Sequence, residues 1–182
     1  MSLFLLFTVF VCALAALSDF RTGLIPNWLT VGASCAGVLG HLLFGSLLVD
    51  GWLGLHEAAA SVAGLVLCGL APGLMYWKGA MGGGDLKLFA AIGALCQPLL
   101  GIEIQMHALV IAAVIAPARL AYQGRLLRVM AGTLSVAMNP FLPRARQRVL
   151  PPEALTSFRL GPAIFVGAAL SLALRNYAQL SQ

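Results

Sequence analysis

Charge is what this chain has least of. Its 182 residues carry eleven basic and six acidic side chains, 9% of the total, against about 25% in ordinary soluble domains. Apolar residues make up 60% and the mean hydropathy is +0.94. So small a soluble domain must still face water over much of its surface, which excludes a soluble globular, disordered, coiled-coil or collagen-like chain. Paired cysteines are missing too. Cys12, Cys35, Cys68 and Cys96 stand singly in apolar stretches with no CxxC, so they read as small packing residues, with no zinc site or disulfide framework. The three histidines show no metal-ligand spacing, and neither a metal nor another cofactor is expected.

What is present is a series of apolar runs, at 3–17, 28–49, 58–77, 88–100, 104–122 and 160–174. At about 20 residues per span, they predict an all-α, polytopic integral membrane protein of about six transmembrane helices. The division between the fourth and fifth runs rests on Gly101, Ile102 and Glu103 alone. Residues 1–182 are expected to form a single membrane-embedded domain.

The few charges are sorted by side. With the N-terminus outside, the inner loops are 18–27, 78–87 and 123–159. They hold Arg21, Lys78, Lys87, Arg125, Arg128, Arg144, Arg146, Arg148 and Arg159, with Arg119 just before the last. Asp50, Glu57 and Glu103 fall outside, and Arg175 is the single basic exception. Lys/Arg asymmetry is the main topology signal, so both termini are expected outside. It also explains the net charge of +5 without nucleic acid as a partner. Ala13-Leu14-Ala15 resembles a signal-peptidase site, but no basic side chain precedes the first run, so that run is expected to be retained.

Within 123–159, Arg125, Arg128, Gly132, Ser135 and Asn139 recur at helical spacing opposite an apolar face. This predicts a cytoplasmic interfacial helix with its arginines toward lipid headgroups. Asn139-Pro140 ends it, and Pro143, Pro151 and Pro152 keep the basic stretch beyond irregular. Gly32, Ala36 and Gly40, and Gly69 and Gly73, form small-residue stripes suited to close helix packing, and Pro72 marks an expected kink.

Ionisable groups near membrane helices are costly and need a reason. Three acids face inward: Asp19, Asp85 and Glu153. Glu153 reads as a solvated loop charge. Asp19 closes the first span and Asp85 opens the fourth, which puts both at the same face and similar depth. Two carboxylates at one depth suit acid/base hydrolysis, one ionised to activate water and one protonated to donate to a carbonyl. After Asp19 comes a turn with Pro26 and Asn27, Pro26 suiting a first helical position. Before Asp85 stand Gly82, Gly83 and Gly84, a backbone without side-chain bulk that a peptide or helix can approach. The glycine run lacks the preceding strand and the spacing of a phosphate loop.

Asp19 with Ile25-Pro26-Asn27, together with Gly82-Gly83-Gly84-Asp85-Leu86-Lys87, resembles the paired motifs of the type IV prepilin peptidases, membrane aspartyl proteases of the GxGD type. Gly161-Pro162-Ala163-Ile164 is similar to the start of that family's last helix. The resemblance implies a bacterial inner-membrane protein with its active site at the cytoplasmic face, cutting a short basic leader from type IV prepilin or pseudopilin precursors. Catalysis would fall to Asp19 and Asp85. Gly82, Gly83, Gly84, Lys87, Pro26 and Asn27 would shape the site or touch substrate. The partners implied are the precursor, membrane lipids and neighbouring pilus-assembly proteins. Larger members also N-methylate the new terminus through an extra domain, often with CxxC pairs. These residues contain neither, so methylation is not expected, and the chain resembles the short peptidase-only members of tight-adherence (Flp) pilus systems.

The helix dipoles suggest roles. Asp85 at a helix N-terminus is favoured as the anion and general base, and Asp19 at a helix C-terminus as the neutral partner, with one proton shared by the coupled pair. Lys87, two residues on, is expected to anchor at the membrane surface or meet substrate. Two other readings compete. In a non-enzymatic scaffold the aspartates would cap helix ends, which suits Asp85 but opposes the dipole at Asp19. In an ion-coupled transporter they would form an ion site, but such sites lie near the midplane and not at one surface.

Overall fold

The computed structural model describes residues 2–48, 51–122, 124 and 160–180. The elements among them are all helices: α1 (Ser2–Thr22), α2 (Asn27–Leu48), α3 (Gly51–Trp77), α4 (Gly83–Tyr122) and α5 (Gly161–Leu180). The first four are long and apolar enough to cross a membrane. Their outer surfaces leave Leu6, Phe10, Val31, Leu39, Val66 and Leu70 about half exposed. A soluble monomer rarely exposes so much contiguous apolar surface, whereas a bundle in lipid does so by necessity. The chain is an integral membrane protein. The interfacial helix and basic stretch expected over 125–159 lie outside the described residues, as do Asp50 and Glu153.

Two compact units divide the chain. One comprises Met1–Ile111 with Arg159–Gln182, and the other Ala112–Phe158, of which the described part is the end of α4 and Gly124. Both aspartates belong to the first.

The centre of that unit is the start of α4. Leu88, Phe89, Ala91, Ile92, Ala94, Leu95 and Cys96 are all buried, so this segment is apolar on every side because other helices surround it. Around it, α1 packs along α5 and α2 along α3.

α4 is not one straight helix. Gln97 has φ 62° and ψ 172°, a left-handed backbone rare for a side chain with a Cβ. Pro98 accounts for the extended ψ, because a proline pushes the residue before it out of the α region. The chain then reverses. Along a continuous helix eight residues advance about 12 Å, yet a Cβ on Gly101 would stand 2.9 Å from the Cα of Gly93. α4 is therefore a hairpin of two arms, 83–96 and 98–122, with Gln97 at its apex. The arms occupy the places of the fourth and fifth apolar runs. The break, however, comes four residues before the expected Gly101–Glu103, and Gly101 is a contact between arms instead of a loop residue.

Breaking a helix orphans its last carbonyls, and neighbouring helices meet that demand. Ser61 Oγ of α3 donates to the Ala94 carbonyl at 2.6 Å, and His41 Nε2 of α2 bonds the Leu95 carbonyl at 3.0 Å. Ser61→Ala is expected to lower stability by about 1–2 kcal/mol, the scale of an interhelical hydrogen bond in a membrane protein. Thermal unfolding of the purified protein in detergent measures it.

Three expectations need correction. α3 begins at Gly51, seven residues earlier than its apolar run, so His56 and Glu57 lie on helix and not in a loop; Glu103 likewise lies within α4. Glu57 is tolerated there because Gln97 Nε2 donates to its carboxylate. The close helix approaches fall only partly on the stripes. Gly40 does lie against the Phe4 ring of α1, but Gly32 has open space where a Cβ would go, and Gly69 and Gly73 have ordinary contacts. The other close approaches are at Gly37 against the Ala94 backbone, Gly64 against Gly93 and Gly45 against Gly54. Cys12, Cys68 and Cys96 are buried free thiols, while Cys35 is exposed.

Candidate active site

The site is assembled where α1 ends. Gly23, with φ 71°, terminates the helix in the left-handed conformation that glycine adopts without strain, and its N–H donates to the Asp19 carbonyl at 2.9 Å. Ser18 Oγ and Thr22 Oγ1 both donate to the Leu24 carbonyl, at 2.9 and 3.2 Å, which folds the following residues back on the helix end. Pro26 then precedes α2, and its carbonyl accepts the N–H groups of Leu29 and Thr30. It caps α2 from one position outside, whereas the sequence suggests it as a first helical residue.

This turn is bound to the start of α4. A Cβ on Gly84 would stand 3.2 Å from the Ile25 Cβ, so the glycine is what lets the two segments meet. Lys87 Nζ donates to Asn27 Oδ1 at 2.9 Å. Lys87 thus ties the two motifs together, a role its position two residues after Asp85 does not suggest. Gly82 lies beside the Asp85 carboxylate and Gly83 against the Tyr76 ring. The two motifs, about sixty residues apart in sequence, form one surface.

Both aspartates lie on it. Asp85 occupies the first turn of α4 and is partly buried. Asp19 is 5% exposed, and the two carboxylates are within each other's electrostatic reach. A third element completes the arrangement. The Gly161 N–H, at the start of α5, donates to Asp19 Oδ2 at 3.1 Å. A Cβ on Gly161 would stand 2.8 Å from that oxygen and 2.9 Å from the Asp19 Cβ, so α5 can approach only as glycine. Pro162 holds the position after the helix start where proline is suited.

This contact changes the electrostatic expectation. Asp19 does stand at the C-terminal end of α1, but it also meets the N-terminus of α5. Both carboxylates therefore lie at helix N-termini, and the dipole argument no longer assigns the proton to Asp19. In the sequence Gly161 shows only as a helix start and not as a neighbour of Asp19. Its cue is the Gly-Pro pair, which marks an unhindered N-terminus but does not say what it faces.

Several other ionisable groups have partners of their own or face outward. His41 is stacked on Phe4 near the other end of α1, fifteen residues and so about 22 Å from Asp19. His107 bonds Ser171 at 2.8 Å, and Glu103 pairs with Arg175 at 3.0 Å. Arg21 is exposed.

No curated protein and no solved structure matches the chain. A family model does, over residues 6–118, a stretch that covers well over half the chain and contains both aspartates, the turn between α1 and α2 and the glycines before Asp85. The chain belongs to the type IV leader peptidase family, and so to the peptidases.

Proposed function

We propose that this protein is a membrane aspartyl endopeptidase that removes the short leader of type IV, Flp-like prepilins at the cytoplasmic face of the bacterial inner membrane, with Asp19 and Asp85 as its catalytic pair. The observation that carries the reading is the docking of the helix start that bears Asp85 on the turn that follows Asp19, through Gly84 against Ile25 and Lys87 to Asn27. Structural caps on separate helices would have no need of that docking.

The pair shares one proton. The ionised carboxylate draws a proton from water as that water attacks the scissile carbonyl, and the protonated one donates to the developing oxyanion. As the C–N bond breaks, the carboxyl that took the water's proton gives it to the leaving amine and a hydroxyl of the diol intermediate returns its proton to the other carboxylate, which restores the pair's starting state. Gly82 leaves the approach to the Asp85 carboxylate without side-chain bulk, while Gly83 and Gly84 admit Tyr76 and Ile25 and so shape the site. Lys87 and Asn27 hold the turn against α4 and so fix the separation of the carboxylates. Pro26 sets where α2 begins. In this reading the two arms of α4 cross separately and α5 makes the sixth pass, with both termini periplasmic and the basic inner segments on the side of the site. The same positive side suits a membrane enzyme that works among anionic lipids and pilus-assembly proteins.

The test is co-expression with Flp-type prepilins, mapping the new N-termini by mass spectrometry. Wild type is expected to yield one cut before the hydrophobic helix of the precursor. Intact precursors throughout would reject the reading in favour of a scaffold. Lys87→Met should slow cleavage about fivefold, the scale of one lost hydrogen bond, with unchanged protein abundance. A time course of leader loss measures it.

A further inference from the structure

At the opposite end of α1 from the aspartates lies a cavity of about 420 Å³, within the size range of pockets that hold small organic ligands. Its walls are mostly apolar, with Phe4, Phe44 and Leu100 among them, and its polar groups are His41, Glu57 and Gln97.

The hydrogen bonds there define what is missing. The Leu95 carbonyl can only accept, so His41 Nε2 is the donor in their 3.0 Å contact. His41 Nδ1 faces Glu57 Oε2 at 3.9 Å, too far for a direct hydrogen bond. The Glu57 carboxylate accepts from Gln97 and keeps acceptor capacity beyond that bond on the cavity side. A donor carrying positive charge would fit against that carboxylate, with two phenylalanine rings in the same wall.

Two of the cavity's own lining side chains, Phe44 and Leu53, are apolar and 48% and 36% exposed, so it is bordered by the bare apolar surface of α2 and α3. A ligand entering from there carries a hydrocarbon body. We propose that the cavity binds an aminophospholipid, its primary ammonium between Glu57 and His41 and an acyl chain along Phe4, Phe44 and Leu100. The lipid would brace the apex of the α4 hairpin, since Glu57 and His41 are also the groups that hold Gln97 and the Leu95 carbonyl. This goes beyond the proteolytic reading and does not depend on it.

Native mass spectrometry of the whole protein in neutral detergent tests it, with phosphatidylethanolamine, its N-acetylated form, phosphatidylglycerol and dodecylamine as probes. Phosphatidylethanolamine is expected to be retained about tenfold more than either the N-acetylated form or phosphatidylglycerol, as befits a charge-assisted hydrogen bond. Glu57→Gln, which keeps an acceptor for Gln97, should erase that preference, and Phe44→Ala should weaken retention of phosphatidylethanolamine. Equal retention of the two ethanolamine lipids, or an unchanged preference in Glu57→Gln, would overturn the proposal. Retention of dodecylamine without phosphatidylethanolamine would overturn the lipid assignment. Because no cleavage is measured, this result is independent of the peptidase test.

Discussion

Asn in place of Asp19 or of Asp85 is expected to lower the rate of leader cleavage by at least about a thousandfold, within the range that general acid–base groups contribute, and the double variant to lose no more than either single one. The reason is that the pair works as a unit. Asn can neither accept the proton of the attacking water nor supply one to the carbonyl, so removing one member leaves the other without its partner's half of the cycle. Effects of groups that act together are strongly non-additive for this reason. Scaffold aspartates would give a different pattern, with normal cleavage or with small, additive losses of stability. The substitution is nearly isosteric. In the Asp19→Asn variant the new amide oxygen can still accept the Gly161 N–H, so protein abundance and thermal stability should change little. Initial rates with one purified precursor, measured for the wild type and three variants, decide the matter.

Gly161→Ala is the second large effect, and it comes from a residue that does no chemistry. Its new methyl would stand 2.8 Å from Asp19 Oδ2 and 2.9 Å from the Asp19 Cβ, closer than van der Waals contact allows. Either α5 moves out or the Asp19 carboxylate is displaced. A displacement of about 1 Å at a reacting group costs on the order of a hundredfold in rate, which is the loss expected here. Overpacking also destabilises, by about 1–3 kcal/mol, so a control is needed. Gly167→Ala provides one: its Cβ would stand 2.7 Å from the Ala108 backbone nitrogen, a comparable clash on the same helix, six residues from Gly161. It should lower the unfolding temperature to a similar extent while cleavage by the folded protein stays within about threefold of wild type, the effect of a change that leaves the reacting groups in place. Equal activity loss in the two variants would show that Gly161 acts through stability and not through Asp19.

These two residues mark the boundary of what can be read from sequence. Asp19 and Asp85 are legible because charge is so rare in the chain that each acid near a span requires an account, and because the sorting of Lys and Arg puts both at one face. Ile25-Pro26-Asn27 and the glycines are legible as two motifs, but their docking is not. That depends on Gly84 admitting Ile25 and on Lys87 reaching Asn27 across sixty residues, and a spacing rule along one helix cannot express a contact between two. Gly161 is hidden for the same reason.

The fold divides similarly. Apolar runs locate the helices, since each must shield its own backbone in lipid. They fail at Gln97, where the α4 hairpin turns with little polar sequence to announce it. Pro98 is the available signal, and a proline in an apolar run more often suggests a kink than a reversal. The polar groups that make the reversal tolerable, Ser61 and His41, sit on other helices and bond the carbonyls of Ala94 and Leu95. Glu57 looks like a loop charge because a helical acid at that depth needs a partner, and Gln97 is forty residues away. In each case the missing information is a tertiary hydrogen bond.

The most direct measurement of the central claim is the intact mass of a purified Flp-type prepilin before and after incubation with this protein in detergent, alongside Asp19→Asn and Asp85→Asn. The account predicts that the wild type removes a mass equal to the short basic leader, with the new N-terminus just before the hydrophobic helix, and that both variants leave the precursor whole. Cleavage at the same position by either variant at a rate near wild type would contradict it.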